Sequence, residues 1–247
     1  MRAFSTLFKT ECKLSLRGMD MVIFAICMPV VVMVILGVIY GNKPAFEGAD
    51  YTFLEQSFGA VATIAICAGG VMGLPLVVSD YRHKKILKRF KVTPISPALI
   101  LAVQVAVYAL YSIVSLILVY VTAMVFFGYQ LSGSWFWFIG TYFLVMLSMF
   151  SIGLMVGGVA PNIKIASILA SVLYFPMLIF SGATLPYEVM SVPLQKASDI
   201  LPLTQGIKLL KAASLGLPIN GVLIPVIEMI ALAVICISIS IRLFRWE

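Results

Sequence analysis

Six stretches of this chain are too long and too poor in charge to fold in water. They run about Met21–Tyr40, Ser57–Ser79, Pro97–Phe127, Trp135–Ala160, Ile165–Ser181 and Ile219–Ile241. A helix crossing about 30 Å of hydrocarbon needs roughly 20 apolar residues. In lipid, only a helix or a closed barrel satisfies its own backbone polar groups. Composition agrees: 62% of the 247 residues are hydrophobic and 11% are charged, against about 25% charged in a soluble domain. So sparse a charge cannot cover a surface facing water. A cytosolic enzyme, a nucleic-acid-binding domain and a disordered chain are excluded. The expected class is one all-α polytopic membrane domain, residues 1–247, with six transmembrane helices.

Basic residues orient such a bundle, because Lys and Arg accumulate in cytoplasmic loops. Arg2, Lys9, Lys13 and Arg17 precede the first stretch. Arg82, Lys84, Lys85, Lys88, Arg89 and Lys91 separate the second from the third. Lys164 follows the fourth, and Arg242 and Arg245 close the chain. Threading six spans puts all of these on one side, with only Lys43, Lys196, Lys208 and Lys211 on the other. The expectation is a plasma membrane protein, in a bacterial cytoplasmic membrane, with both termini cytoplasmic. The first stretch exceeds the 7–15 apolar residues of a signal peptide, and Gly37–Gly41 offers no small-residue cleavage site, so an uncleaved span is expected.

Two amphipathic elements lie on the basic side. On a helical wheel, Arg2, Lys9, Lys13 and Arg17 share one arc, while Phe4, Leu7, Phe8, Cys12 and Leu14 spread opposite. That suits an interfacial helix over residues 1–19. Glu11 falls on the apolar side. It is either a snorkelling edge residue or a partner for a basic group of the neighbouring loop. In the second element, Ile86, Leu87 and Phe90 share a face with His83, and the basic residues take the remainder. Thr93-Pro94 ends it, since a residue before proline is pushed out of the α region. This element reads either as a topology signal held by anionic headgroups or as a protein-docking helix.

After the fifth stretch, residues 182–213 form no ordinary loop. Short apolar runs are broken by Pro186, Pro193 and Pro202, and none reaches spanning length. A re-entrant pair of short helices on the outer side is expected.

The chemistry-bearing residues are few. Cys12, Cys27, Cys67 and Cys236 lie far apart, and no CxxC pair exists, so neither a disulfide framework nor a metal site is expected. No GxxxxGK[ST] phosphate loop occurs in these 247 residues, and the single histidine, His83, has no nucleophile beside it. Energy must come from another subunit or from an ion gradient. Glu228 stands about ten residues into the last span, near mid-bilayer. An acid there costs about 2.5–3.5 kcal/mol on insertion scales. It reads as a hydrogen-bonded structural group, a substrate contact or a proton-coupling carboxylate. Thr63, Cys67, Gly70 and Leu74, and likewise Ser167, Ser171, Tyr174 and Leu178, recur at helical spacing. Such small or weakly polar stripes mark helix–helix contact. Gly37/Gly41, Gly69/Gly73 and Gly153/Gly157 are assigned to packing.

Three segments in order carry a resemblance. One is Thr10-Glu11 through Leu16-Arg17, before a span containing Pro29. The next is Tyr81-Arg82 through Leu87-Lys88-Arg89-Phe90-Lys91-Val92-Thr93-Pro94. The last is Phe180-Ser181-Gly182-Ala183, followed by Pro186, Glu188, Pro193 and Leu201-Pro202-Leu203. Together they resemble the membrane subunits of ABC type-2 exporters, whose fold is shared with the G-subfamily multidrug and sterol transporters. The resemblance implies a connecting helix over 1–19 bearing Glu11 and Arg17. It implies a cytoplasmic coupling helix over 80–94, in which Arg82, Lys84, Lys88, Arg89, Phe90, Thr93 and Pro94 meet an ABC ATPase. ATP and Mg would sit on that ATPase, with no cofactor and no catalytic site in this chain. A second permease copy or a homologous permease would pair with it. Thr63, Cys67, Gly70, Ser167, Ser171, Tyr174, Phe175 and Phe180 would then line a substrate pathway. The function implied is export of a lipophilic or amphipathic drug, antibiotic, peptide or lipid. Other readings are a gradient-driven transporter using Glu228, and a non-transporting membrane scaffold or immunity protein. Membrane lipid is the other expected partner, and no nucleic acid is.

Overall fold

The computed structural model describes residues 2–19, 21–41, 43–45, 48–84, 96–184, 187, 190–217 and 223–243. Helix α1 spans Arg2–Gly18. A π turn, Val22–Cys27, leads into α2, Met28–Tyr40. Helix α3, Phe53–Cys67, continues through a second π turn, Ala68–Gly73, into α4, Leu74–His83. Then come α5, Pro97–Phe127, α6, Trp135–Val159, α7, Ile163–Phe180, α8, Val192–Ser198, α9, Pro202–Leu215, and α10, Leu223–Leu243. Six helical stretches are long and apolar enough to cross a membrane: Val22–Tyr40, Phe53–His83, Ala98–Phe127, Trp135–Val159, Ile163–Phe180 and Leu223–Arg242. Among the described residues the only strand-like pairing is an isolated bridge between Pro44 and Thr52. The chain is an all-α polytopic membrane protein.

The two π turns have a cause in the sequence. A proline inside a helix removes one i→i−4 hydrogen bond and crowds the preceding turn. Pro29 and Pro75 are each the second residue of an α-segment that follows a π turn. The wider turn gives the preceding carbonyl room, so both spans stay continuous.

The second span is longer than its apolar run suggests, reaching 53–83 rather than 57–79. Its start is fixed by a capping box. The Thr52 backbone N–H donates to Glu55 at 2.7 Å, and the Glu55 N–H donates to Thr52 Oγ1 at 3.2 Å. Polar Gln56 and Ser57 stay within the helix because protein buries them.

This span is the axis of the molecule: 83% of its apolar window is buried, against 22% for the first, fifth and sixth spans. It packs against α2, α5, α6, α7 and α9. Glycine permits the closest approach. A Cβ on Gly153 would run into the Gly70 carbonyl oxygen, and one on Gly70 would lie 2.6 Å from the Phe150 ring. Gly73 sits against Tyr108 and Gly37 against Phe127. The glycine pairs seen in the sequence therefore serve packing within the chain. The last span is held to α6 by Ser148, whose hydroxyl donates to the Met229 carbonyl at 2.6 Å.

Two ends are distinguishable. At one, α1 lies against α5, beside the ends of α4 and α6. We call it the basic end. At the other, Phe58 stacks on Tyr129 with ring centroids 4.5 Å apart, and Tyr120 meets Trp135 edge-on at 4.8 Å. There the two non-spanning helices α8 and α9 close the bundle, and α9 buries Leu203, Leu209 and Leu210 completely.

Candidate functional site

At the basic end, α1 turns Leu7, Phe8, Glu11 and Cys12 toward the bundle and leaves Lys9, Lys13 and Arg17 exposed. The wheel predicted this division except at Phe4 and Leu14, which are exposed on the apolar arc. Glu11 finds a partner of an unpredicted kind. The Tyr81 hydroxyl lies 2.8 Å from both carboxylate oxygens, and Gln104 Nε2 donates to the same hydroxyl at 3.0 Å. The acceptor role of Glu11 is thus filled by a phenol at the end of the second span. Gln104 is 4% exposed. Three elements, α1, α4 and α5, meet at one oxygen. Burial and the adjacent Glu11 carboxylate push the Cys12 thiol above its ordinary range. Beside this bracket lies a cleft of about 400 Å³ lined by Glu11, Ser15, Asp80, Tyr81, Gln104 and Tyr108, among others.

Arg82 is the next residue along α4, and its side chain points into the chain. Nη1 lies 3.2, 2.6 and 3.0 Å from the carbonyl oxygens of Gly157, Gly158 and Ala160. These are the orphan carbonyls at the C-terminus of α6, where the helix dipole is negative. Within the chain, Arg82 bridges the end of the second span to the end of the fourth. Lys84 is exposed and pairs with Asp80 at 2.8 Å, one turn back. Lys88, Arg89, Phe90, Thr93 and Pro94 lie outside the described residues.

The expected pathway residues divide. Thr63 and Cys67 are fully buried, and Gly70 is buried against Met149 and Phe150. Their stripe contacts helices of the same chain. On α7, Tyr174 is buried, Ser167 and Ser171 are half-buried, and Phe175 and Phe180 are exposed. The exposed face of α7 also carries Ile168, Val172 and Ile179.

At the other end, Tyr187, Asp199 and Lys208 form a cluster between α8 and α9. Lys208 Nζ donates to Asp199 Oδ1 at 2.6 Å, and the Tyr187 hydroxyl lies 2.9 and 3.0 Å from the carboxylate oxygens. Burial works against the Asp199 carboxylate, but the hydrogen bonds from Lys208 and Tyr187 outweigh it and hold its pKa below the usual range. Burial and the bond to Asp199 raise that of Tyr187. Gln205 Nε2 donates to the Asp199 carbonyl at 2.7 Å.

Glu228 is the sixth residue of the described part of α10. That is about 8 Å of rise from the first. It is exposed and borders a hollow of about 220 Å³ shared with Asp199 and Gln205. Among the described residues, no three of His, Cys, Asp and Glu gather in a way that could hold a metal ion.

The residues that sequence reasoning passed over are Tyr81 and Gln104. Gln104 had a signal: an amide within a 31-residue apolar helix needs a partner.

Residues 2–215 match the family described as ABC-2 type transporter. Nodulation protein J from Neorhizobium galegae is 30% identical over 102 residues, 41% of this chain. The aligned part spans 39% of that relative's length. The family match takes in α1, the first five spans and both short helices. This chain, an all-α polytopic membrane protein, belongs to the ABC-2 type transporter family.

Proposed function

We propose that the chain is the permease subunit of an ATP-driven exporter in a bacterial cytoplasmic membrane, with both termini inside. A separate ATPase carries ATP and Mg. Its movement reaches the permease through the basic segment between the second and third spans, where Lys88, Arg89, Phe90, Thr93 and Pro94 form the contact. The observation that carries this reading is the bracket at the end of the second span. Glu11, Tyr81 and Gln104 meet at one hydroxyl, and Arg82 grips the end of α6 one residue later. A push on the segment that follows is delivered at once to α1, α5 and α6. Because the second span is the buried axis, a tilt there redistributes packing throughout the bundle.

A second permease copy completes the pathway. The surface available to it on the fifth span is the apolar face with Val172, Phe175 and Ile179. The second span contributes after the ATP-driven rearrangement, since it is enclosed in this conformation. The substrate class is lipophilic or amphipathic, in keeping with an exposed face without charge.

The test uses the permease purified with its ATPase and placed in nanodiscs. Vanadate-sensitive ATP hydrolysis is measured against a panel of amphipathic drugs, peptides and lipids. At least one amphipath should raise turnover severalfold. Turnover that no amphipath changes, but a small hydrophilic solute does, contradicts the substrate class.

A further inference from the structure

Helix α1 carries its charge in a single line. Lys9, Lys13 and Arg17 stand four residues apart and are exposed. They therefore share one face and cover about 12 Å of its length. Leu7, Phe8, Glu11 and Cys12 turn the opposite side to the bundle. At about 100° per residue, Leu14 falls on one flank of the cationic line and Leu16 on the other. Both leucines are exposed. The outer face of α1 thus sets aliphatic side chains on either side of three cations.

The rotation of α1 about its axis is fixed. The Tyr81 hydroxyl lies 2.8 Å from both oxygens of Glu11, and Gln104 donates to that hydroxyl at 3.0 Å. Glu11 stands on the side of the wheel away from the cations, so this bracket holds the cations outward. The depth of α1 is fixed as well. The helix ends at Gly18, and Met19 takes a left-handed φ of 59°. The Ile23 N–H then donates to the Met19 carbonyl at 3.0 Å, so the first span, Val22–Tyr40, begins directly beyond the turn. Midway along α1, the bracket reaches Gln104, about two turns into α5. A helix tied at its end to the start of one span, and at its middle to the first turns of another, lies at the level of the lipid headgroups.

Cations at that depth attract anionic headgroups, and aliphatic side chains beside them enter the adjoining acyl region. The two flanking leucines favour lipid over a soluble acidic partner, which would match the charge and leave them in water. We propose that the outer face of α1 is a docking surface for anionic phospholipid in the leaflet at the basic end. Lys9, Lys13 and Arg17 hold the phosphates, Leu14 and Leu16 meet the acyl carbons, and anionic lipid is enriched beside α1 over zwitterionic lipid. The surface belongs to this chain alone and does not rest on the ATP-driven reading.

The test uses the full chain without any ATPase, reconstituted in phosphatidylcholine vesicles. Cys12 and Cys27 are replaced by serine, while Cys67 and Cys236 are buried. Thr10→Cys, exposed beside the cationic line, carries a fluorophore. Trace phosphatidylglycerol or phosphatidylcholine is added, each with a nitroxide quencher near the top of one acyl chain. In about 0.1 M salt, where charges are screened over about 10 Å, phosphatidylglycerol should quench at least twofold more at equal mole fraction. In about 1 M salt, where that length is about 3 Å, the difference should vanish. The Lys9→Gln, Lys13→Gln, Arg17→Gln variant should quench equally with both lipids at either salt. Lys196→Gln, exposed at the other end, should keep the wild-type preference. If the triple variant is not monodisperse, Lys9→Gln with Lys13→Gln should at least halve the preference. Equal quenching in the wild type, or a preference that the glutamine variants keep, overturns the proposal. Equal quenching together with loss of a co-purifying ATPase from the triple variant also overturns it, and assigns the face to a protein. Since no ATPase is present in the lipid measurement, its failure is separate from failure of the export reading.

Discussion

At the scale of single residues, Arg82 shows how a charge can be structural inside a docking region. Its Nη1 satisfies carbonyls that α6 cannot pair itself. Hydrogen bonds to charged groups contribute about 1.5–3 kcal/mol each, and an orphaned buried acceptor costs a similar amount. Arg82→Gln should therefore lower the stability of the purified chain by about 2 kcal/mol, read as a drop in the thermal unfolding midpoint. Lys84→Gln breaks an exposed pair with Asp80 and should change stability by less than about 0.5 kcal/mol. Nothing local in the sequence separates these two residues, which both stand in a basic run after a long apolar span. The distinction arises from the end of α6, more than seventy residues downstream. Glu11 was conspicuous because it broke an apolar arc, yet its partner was not legible, since Tyr81 lies seventy residues away in sequence.

At the scale of elements, the second span is enclosed because glycines let α6 approach its backbone. Gly153→Ala would drive a methyl group into the Gly70 carbonyl, and overpacking of this kind costs about 1–3 kcal/mol. Gly140→Ala, on the same helix with nothing within 4 Å of the added carbon, should be neutral or stabilising by up to about 1 kcal/mol. Unfolding midpoints of the two variants, measured side by side in one detergent, check this, and equal losses would refute the close-approach account. The six spans themselves were legible because lipid demands length and apolarity. Which of them forms the axis was not, because lipid and protein interior accept the same side chains. The glycines and alanines of residues 59–73 were the available signal. The stripe of Thr63, Cys67, Gly70 and Leu74 marks helix–helix contact, but its spacing does not say whether the facing helix belongs to the same chain.

At the scale of the whole molecule, thirteen of 17 basic residues gather at one end by threading six spans. Proposing that end as cytoplasmic has a direct consequence. In a chain with Cys12 and Cys27 replaced by serine, Lys196→Cys should react with an impermeant maleimide in intact cells. Lys164→Cys should react only after permeabilisation; both positions are exposed. The reverse pattern would invert the orientation. The central claim is that a motor on a separate subunit drives this permease through the segment after the second span, and Arg82 now appears as the anchor behind that segment rather than part of its surface. The most direct test is co-purification of ATPase activity with the tagged permease, comparing wild type with the Arg89→Ala, Phe90→Ala variant. Loss of the bound, vanadate-sensitive ATPase from a variant that unfolds at the wild-type temperature is the predicted result. An ATPase that remains fully bound and coupled to transport would contradict the account.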